Sequence, residues 1–317
     1  MEVELGARSL FFTIFESTST ILLNVISLLG NILVCISVYR NTRLRTSTNL
    51  YIVALAISDL LSAIFVMPFA AGVLISGKWP FGRVVCQMIA FFGPYLLYVS
   101  PVTMGFTAVN RYVRICRSNQ EYKRFFSPRK SFISLASSWI LIACYILITR
   151  FTGLQGVYFE PGYAVCLNQH LNKLATIIHY VFVLGLFFIL PLVLTIFSYR
   201  MVLRKIQEHN AVLARSIENQ EVHFASVTTH EIRISRSLFV VVFAFMLCWT
   251  PVWLITILTR LSIVDAMPRN IQLLCTFFLN LSNTVNPFIY AGMNPLFRSE
   301  FRRILYCRPR EPDIRQV

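Results

Sequence analysis

Seven times along its 317 residues the chain runs for about twenty residues with scarcely a charge. No other feature limits so sharply what it can fold into. A bilayer core takes roughly 20 apolar residues of helix to cross, and soluble buried helices rarely stay apolar that long. Inside lipid every backbone N–H and C=O must bond within its own segment, so the runs read as helices. They are placed at 18–40, 49–75, 84–109, 131–151, 174–199, 237–259 and 270–292. A composition that is 56% hydrophobic and 14% charged, with a mean hydropathy of +0.65, excludes an ordinary soluble domain. The expected fold is an all-α membrane protein, a seven-transmembrane helix bundle. Residues 1–17 precede the bundle at 18–292; an amphipathic helix at 293–307 and a tail at 308–317 follow it.

The basic residues orient the bundle. With the N-terminus outside, the inner segments hold 22 of the 29 Lys and Arg: three after span one, seven around Arg111–Lys130, six around Arg200–Arg236 and six after Met293. The positive-inside rule therefore places the N-terminus out and the C-terminus in the cytoplasm, in a multi-pass plasma-membrane protein. The net charge of +15 points to anionic lipids and an acidic cytoplasmic partner, with no need for nucleic acid. The first span reads as an uncleaved signal-anchor.

The cysteines sort by depth. Cys86, at the outer end of span three, and Cys166, before span five, both face the oxidising side. They read either as a disulfide pinning that loop over the bundle mouth or as two free thiols. Phe297, Phe301, Ile304 and Leu305 share one helical face and arginines the other, the pattern of a short eighth helix on the inner leaflet. Cys307 follows it, a palmitoylation candidate or a plain thiol.

Polar residues at bilayer depth are costly and mark function. Asp59 is the single acid there, with Asn31, Ser100, Ser282 and Asn286 as candidate partners. Together they offer oxygens for a small cation, possibilities being sodium, water alone or a protonated Asp59. Pro287, after Asn286, removes a backbone donor and frees a carbonyl that something must satisfy, which makes the Asn286–Tyr290 segment a polar hinge. Pro94 and Pro101 bend span three. Arg111 ends that span about 37 Å beyond Cys86 at ~1.5 Å per residue, and Glu231, about five turns before the Trp249–Pro251 kink of span six, lies at the same inner level. The two either pair, tying spans three and six as an openable switch, or remain two solvated charges.

The chain resembles the rhodopsin-like (class A) G-protein-coupled receptors. The resemblance covers residues 18–307 and rests on nine motifs in order. They are Gly30-Asn31, Leu55-Ala56-x-x-Asp59, Trp79-x-Phe81-Gly82, Cys86, Asn110-Arg111-Tyr112, Trp139, Pro191 with Tyr199, Phe245-x-x-Cys248-Trp249-x-Pro251 and Asn286-Pro287-x-x-Tyr290. The resemblance implies a receptor, not an enzyme, whose ligand enters from outside and whose cytoplasmic face activates a heterotrimeric G protein. It places Phe245, Trp249 and Pro251 as a toggle at the pocket floor and Glu231 as the restraint on Arg111. It also gives Tyr199 and Tyr290 as supports of the active state, and Asp59, Ser100, Ser282 and Asn286 as an allosteric sodium site. No further cofactor is implied.

Asn110 to Ser118 is similar to the melatonin receptors, which carry Asn-Arg-Tyr followed by Ile-Cys-x-Ser, and Phe297–Ile304 is similar to their tail. That likeness implies Gi/o coupling. Pro287, where those receptors carry alanine, and the Cys166–His170 loop depart from them, so the pocket differs. Gly93 stands where bioamine receptors place an aspartate, and no lysine follows Lys205 to hold retinal. The expected lining is Gly93, Leu97, Tyr98, His179, Val183, Phe187, Trp253, Thr256, Gln272, Thr276 and Asn280, neutral and aromatic, suited to a small uncharged ligand. Alternatives are a receptor for a peptide or lipid, or a transporter or channel; the latter would show repeats, broken helices in pairs or several charges along a path, and the sequence shows none.

Overall fold

The computed structural model describes residues 5–6, 8–153, 155–218, 229–261, 263–264 and 267–307, with side chains 213–218 and 229–230 excepted. The tail 308–317 and its arginines lie outside the described residues. Seven helical passes form one bundle. They are α1 (Leu10–Arg40); α2 (Ser47–Phe65) with α3 (Met67–Ser76); α4 (Gly82–Cys116); α6 (Pro128–Phe151); α7 (Lys173–Leu184) continued by α8 (Leu190–Glu218); α9 (Thr229–Arg260); and α10 (Arg269–Met293). A short α5 (Asn119–Phe125) follows α4, and α11 (Pro295–Leu305) follows α10. The hairpin β1 (Gln155–Glu160) and β2 (Val165–His170) lies between α6 and α7. We call the end bearing this hairpin the hairpin end and the opposite one the arginine end.

Local chemistry sets the boundaries. Ser9 caps α1 by accepting from Phe12 N, Thr46 caps α2, and Asn172 caps α7. Val66 breaks the second pass because Pro68 lies just beyond it and restarts the helix at its first turn. Gly77, at φ 73°, ends α3 in the left-handed region. The fifth pass is re-phased by a π turn over Gly185–Ile189, immediately before Pro191.

Two passes differ from the sequence expectation. The first begins at Leu10 rather than 18, because Glu16, which interrupts the apolar run, is neutralised: Arg8 and Arg269 both reach its carboxylate. Among the described residues six passes are long and apolar enough to cross a membrane by composition; α10 is not one of them. Its polar side chains Thr276, Asn280, Ser282 and Asn286 are buried, facing the bundle rather than lipid, so its helical character rests on its neighbours α1 and α9.

α4 is the central post, packed on α2, α6 and α8. Contact is closest where side chains are smallest. A Cβ on Gly30 would sit 2.8 Å from Pro287 Cγ, so α1 and α10 meet at glycine against proline. The core runs from Trp253 and Phe188 at the hairpin end to Tyr290, Phe297 and Phe301, where α11 docks. Glu300 of α11, nearly fully buried, accepts from Asn41 Nδ2 at 2.9 Å and pairs with Arg303. The expected amphipathic helix is thus anchored to the bundle by its acid as well as by its phenylalanines.

Candidate functional site

At the arginine end the side chain of Arg111 is enclosed, with 1% of it exposed. Its Nη2 donates to Glu231 Oε2 at 2.7 Å, to the Glu231 carbonyl at 3.0 Å and to Ser235 Oγ at 2.9 Å. The other carboxylate oxygen of Glu231 accepts from Arg114 Nε at 3.1 Å. The alternative of two solvated charges is therefore not what forms: α4 and α9 are clasped by one carboxylate shared between two arginines. Asn110 turns away from this group, accepting from Thr48 and donating to Tyr122 of α5. Tyr112 accepts from Arg117. Tyr199 and Tyr290 are buried and neither hydroxyl has a protein hydrogen-bond partner. Two unpaired buried phenols are a standing cost, about 1–3 kcal/mol each, that another arrangement could relieve.

Mid-bundle, Asn286 Nδ2 donates to Asp59 Oδ2 at 3.0 Å, so the two expected partners do meet. Ser100 instead bonds Ser58 Oγ and the Leu96 carbonyl, and Ser282 accepts from Trp249 Nε1 at 2.9 Å. Trp249, two residues before Pro251, stacks on Phe245 with ring centroids 4.4 Å apart. As for a cation, Asp59 is enclosed and offers a carboxylate that accepts from Asn286, and Asn31 Oδ1 is a buried oxygen without a partner. An anionic oxygen and neutral oxygens are the donor chemistry a small hard cation takes.

The prolines explain two of the polar contacts. Pro287 frees the carbonyl four residues earlier, Asn283 O; Asn31 Nδ2 at 2.9 Å and Ser27 Oγ at 3.0 Å donate to it from α1. Pro94 likewise frees Ala90 O, which accepts from Asn168 Nδ2 of β2 at 2.9 Å. The hairpin is therefore held to α4 twice, by that bond and by the Cys86–Cys166 disulfide, which forms. A third bond, Thr276 Oγ1 to Tyr163 O at 2.8 Å, ties it to α10.

Beneath the hairpin lies a cavity of ≈ 190 Å³ whose floor is Trp249 and whose walls come from α4, α7, α9, α10 and β2. Gly93, Leu97, Tyr98, His179, Trp253, Thr256, Thr276 and Asn280 line it as expected. Three expected residues do not. Val183 and Phe187 are buried in the core, Phe187 stacked on Tyr98 at 5.0 Å within the π turn, and Gln272 packs against Gly162 in the hairpin turn. His179 is held by two phenols, Tyr145 to Nδ1 at 2.8 Å and Tyr98 to Nε2 at 3.4 Å.

Sequence reasoning missed Tyr163, His170, Tyr180, Asn283 and Arg260, all of which line the cavity. Arg260 corrects the expectation of a neutral lining. It ends an apolar run and reads in sequence as an interfacial charge; its signal was the helical spacing Trp253, Thr256, Arg260, which puts all three on one face of α9. Burial and the neighbouring Arg260 hold His170 below its ordinary pKa of 6.5, hence neutral.

A seven-helix bundle with a mouth cavity, a buried polar middle and a clasped arginine at the far end is the frame of a membrane receptor. The family model of the rhodopsin family of seven-transmembrane receptors matches residues 30–290, and the chain belongs to that family. It is 30% identical to the melatonin receptor type 1A of Phodopus sungorus over 286 residues, 89% of this chain and 77% of that one. With the histamine H2 receptor of Canis lupus familiaris it shares 27% over 291 residues, 90% and 77% of the two chains. Squid rhodopsin has the same fold at a TM-score of 0.77, covering 94% of this chain and 88% of its own, with 21% identity.

Proposed function

We propose that this protein is a plasma-membrane receptor that binds a small extracellular ligand in the cavity under the hairpin and, in response, activates a heterotrimeric G protein at the arginine end. The observation that carries this reading is the Arg111–Glu231–Arg114 clasp. Its carboxylate holds α4 to α9 across the bundle, and opening it presents a cation where an acidic or carbonyl-rich partner docks. The N-terminus lies outside and the C-terminus inside. The disulfide supports that orientation, because such bonds persist in oxidising compartments. The Asn110–Ser118 stretch, similar to that of melatonin receptors, supports Gi/o coupling.

In this mechanism ligand in the cavity displaces Trp249, whose ring bonds Ser282 and stacks on Phe245. The strain passes along α9, already bent at Pro251, and along α10 through Asn286, so the inner end of α9 moves out. Arg111 loses Glu231, and the hydroxyls of Tyr199 and Tyr290 gain partners in the rearranged interior. Asp59 and Asn286 would hold a sodium ion, with Asn31, Ser100 and Ser282 as the further oxygens, and its charge would favour the resting state; Asp59→Asn should then abolish sodium's effect on agonist affinity. Cys307, exposed at the end of α11, is the site of a palmitate that holds α11 to inner-leaflet lipid. Nucleotide exchange on Gi in reconstituted nanodiscs tests the reading. Agonist-independent exchange that Arg111→Ala abolishes supports it, whereas solute flux in proteoliposomes without exchange would sink it in favour of a transporter.

A further inference from the structure

Arg260 sits at the hairpin end of α9 with its guanidinium on the cavity. Its one side-chain hydrogen bond runs from Nη1 to the hydroxyl of Tyr158 at 3.0 Å. Among the described residues no carboxylate pairs with it; Glu160 approaches the Tyr158 hydroxyl instead. Around it stand Tyr163, Tyr180 and His170, which bring aromatic surface and no negative charge. A guanidinium in such surroundings has given up part of its water for one neutral hydrogen bond, and it keeps further N–H donors for an acceptor.

Two further unpaired donors belong to residues that line the same cavity. Trp253 Nε1 and Asn280 Nδ2 each belong to a side chain more than nine-tenths buried, each lines the cavity, and neither has a partner. Trp253 lies seven residues before Arg260, so the two are on one face of α9, separated by roughly 10 Å along the axis. Between them the walls are apolar: Ile89, Leu97, Val252 and Leu279. The cavity therefore has a cation at its mouth, unpaired N–H donors on residues in its depth and apolar walls, and among the described residues no acid lines it.

We propose that the ligand is a small organic monocarboxylic acid with an apolar or aromatic body and a hydrogen-bond acceptor at the end away from the carboxylate. The carboxylate meets Arg260 at the mouth, where the planar guanidinium gives two parallel bonds to a planar acceptor. The acceptor at the other end takes the Trp253 and Asn280 donors. A single negative charge is specified because Arg260 is the one unpaired permanent cation on the lining, and a second charge would be desolvated without a partner. This proposal rests on the cavity's being the ligand site of the proposed receptor.

Matched probes, each with an ether oxygen at the far end and differing only in the acid, decide it: 5-methoxyindole-3-acetic acid against 5-methoxy-3-methylindole, and straight-chain fatty acids of graded length with a terminal methoxy group against their methyl esters. Thermal unfolding of the purified full-length receptor in nanodiscs reports binding. Acids raise the unfolding temperature more than their neutral partners. Arg260→Gln weakens acid binding on the order of 10- to 100-fold, the range for one charge-assisted hydrogen bond. Arg260→Lys restores part of it, and neither variant changes the response to the neutral partners. Neutral probes that equal or exceed every acid overturn the proposal; so does Arg260→Gln binding acids like the parent, and so does a receptor that no acid stabilises. The folding control is the unfolding transition of ligand-free Arg260→Gln, and Glu231→Ala with Arg260 intact reports on the receptor reading separately, through raised basal exchange. If acids fail while that basal exchange is raised, the acid ligand is wrong and the receptor reading stands. If basal exchange never rises, the receptor reading itself has failed.

Discussion

Replacing Glu231 by alanine tests the clasp most directly, and the structure sets the size of the effect. The Arg111 side chain is 1% exposed, and its carboxylate partner is 21% exposed. Removing one partner of a fully buried ion pair costs about 3–5 kcal/mol. Here the loss is smaller, because Ser235 Oγ and the backbone carbonyl of residue 231 stay with Arg111 and water reaches the site. One charge-assisted hydrogen bond, about 2 kcal/mol, is the appropriate figure. It is lost from the resting state alone, so the ratio of active to resting molecules rises roughly 30-fold, for instance from about 1% active to about a quarter. The assay is agonist-free GTPγS binding to Gi with receptor in nanodiscs at matched concentration. Rank order sharpens it. Ser235→Ala removes a neutral bond worth about 1 kcal/mol, and Arg114→Ala, whose partner contact is solvent-exposed, removes less. Glu231→Ala should exceed Ser235→Ala, which should exceed Arg114→Ala. Basal exchange at the parent level in well-folded Glu231→Ala, or Arg114→Ala as the most active of the three, would refute the clasp as restraint.

Asn31→Leu leaves the Asn283 carbonyl, freed by Pro287, with Ser27 alone, and should lower stability by about 1–3 kcal/mol in thermal unfolding; Ser27→Ala should cost less. Gly30→Leu forces side-chain atoms into the Pro287 ring and should lower the unfolding temperature, whereas Gly93→Ala, with nothing within 4 Å of a new Cβ, should leave it unchanged. Opening the disulfide, which closes 80 residues, by Cys86→Ser with Cys166→Ser should cost about 2–5 kcal/mol and release the hairpin, read as faster amide exchange in β2. His170 titrates below its ordinary value of 6.5 in the fold, so the unfolded chain takes up the proton first. Its contribution is complete above that value and is lost as the pH falls below it towards the folded pKa. Unfolding temperature should therefore fall between pH 7 and pH 5, less steeply in His170→Gln; equal slopes would contradict this.

Much of the site was legible one helix at a time. Cys86 and Cys166 were paired from their depth alone, and Asp59 with Asn286 from the cost of polarity in lipid; both pairs form. One miss falls where helix phase changes. Phe187 lies inside the Gly185–Ile189 turn, where an extra residue per turn rotates the side chains that follow, and it faces the core. Ser100 and Ser282 were expected at Asp59, but short hydroxyls bond whatever is nearest, here Ser58 and Trp249. Arg260 ends an apolar run, and a one-dimensional reading cannot see the hairpin that meets it.

The sequence by itself determined the number and order of the passes, since hydrocarbon thickness fixes how long an apolar helix must be. It determined as well that the prolines and buried polar residues needed partners, because lipid supplies none. Which partners they found was decided by the tertiary structure. Asn31 reaches Asn283 O only because glycine lets α1 lie against Pro287, and Asn168 reaches Ala90 O only because the disulfide brings β2 to α4. Those contacts join residues tens to hundreds of positions apart. Periodicity along one helix sets the face a side chain occupies; the neighbour across that face depends on how the helices turn against one another.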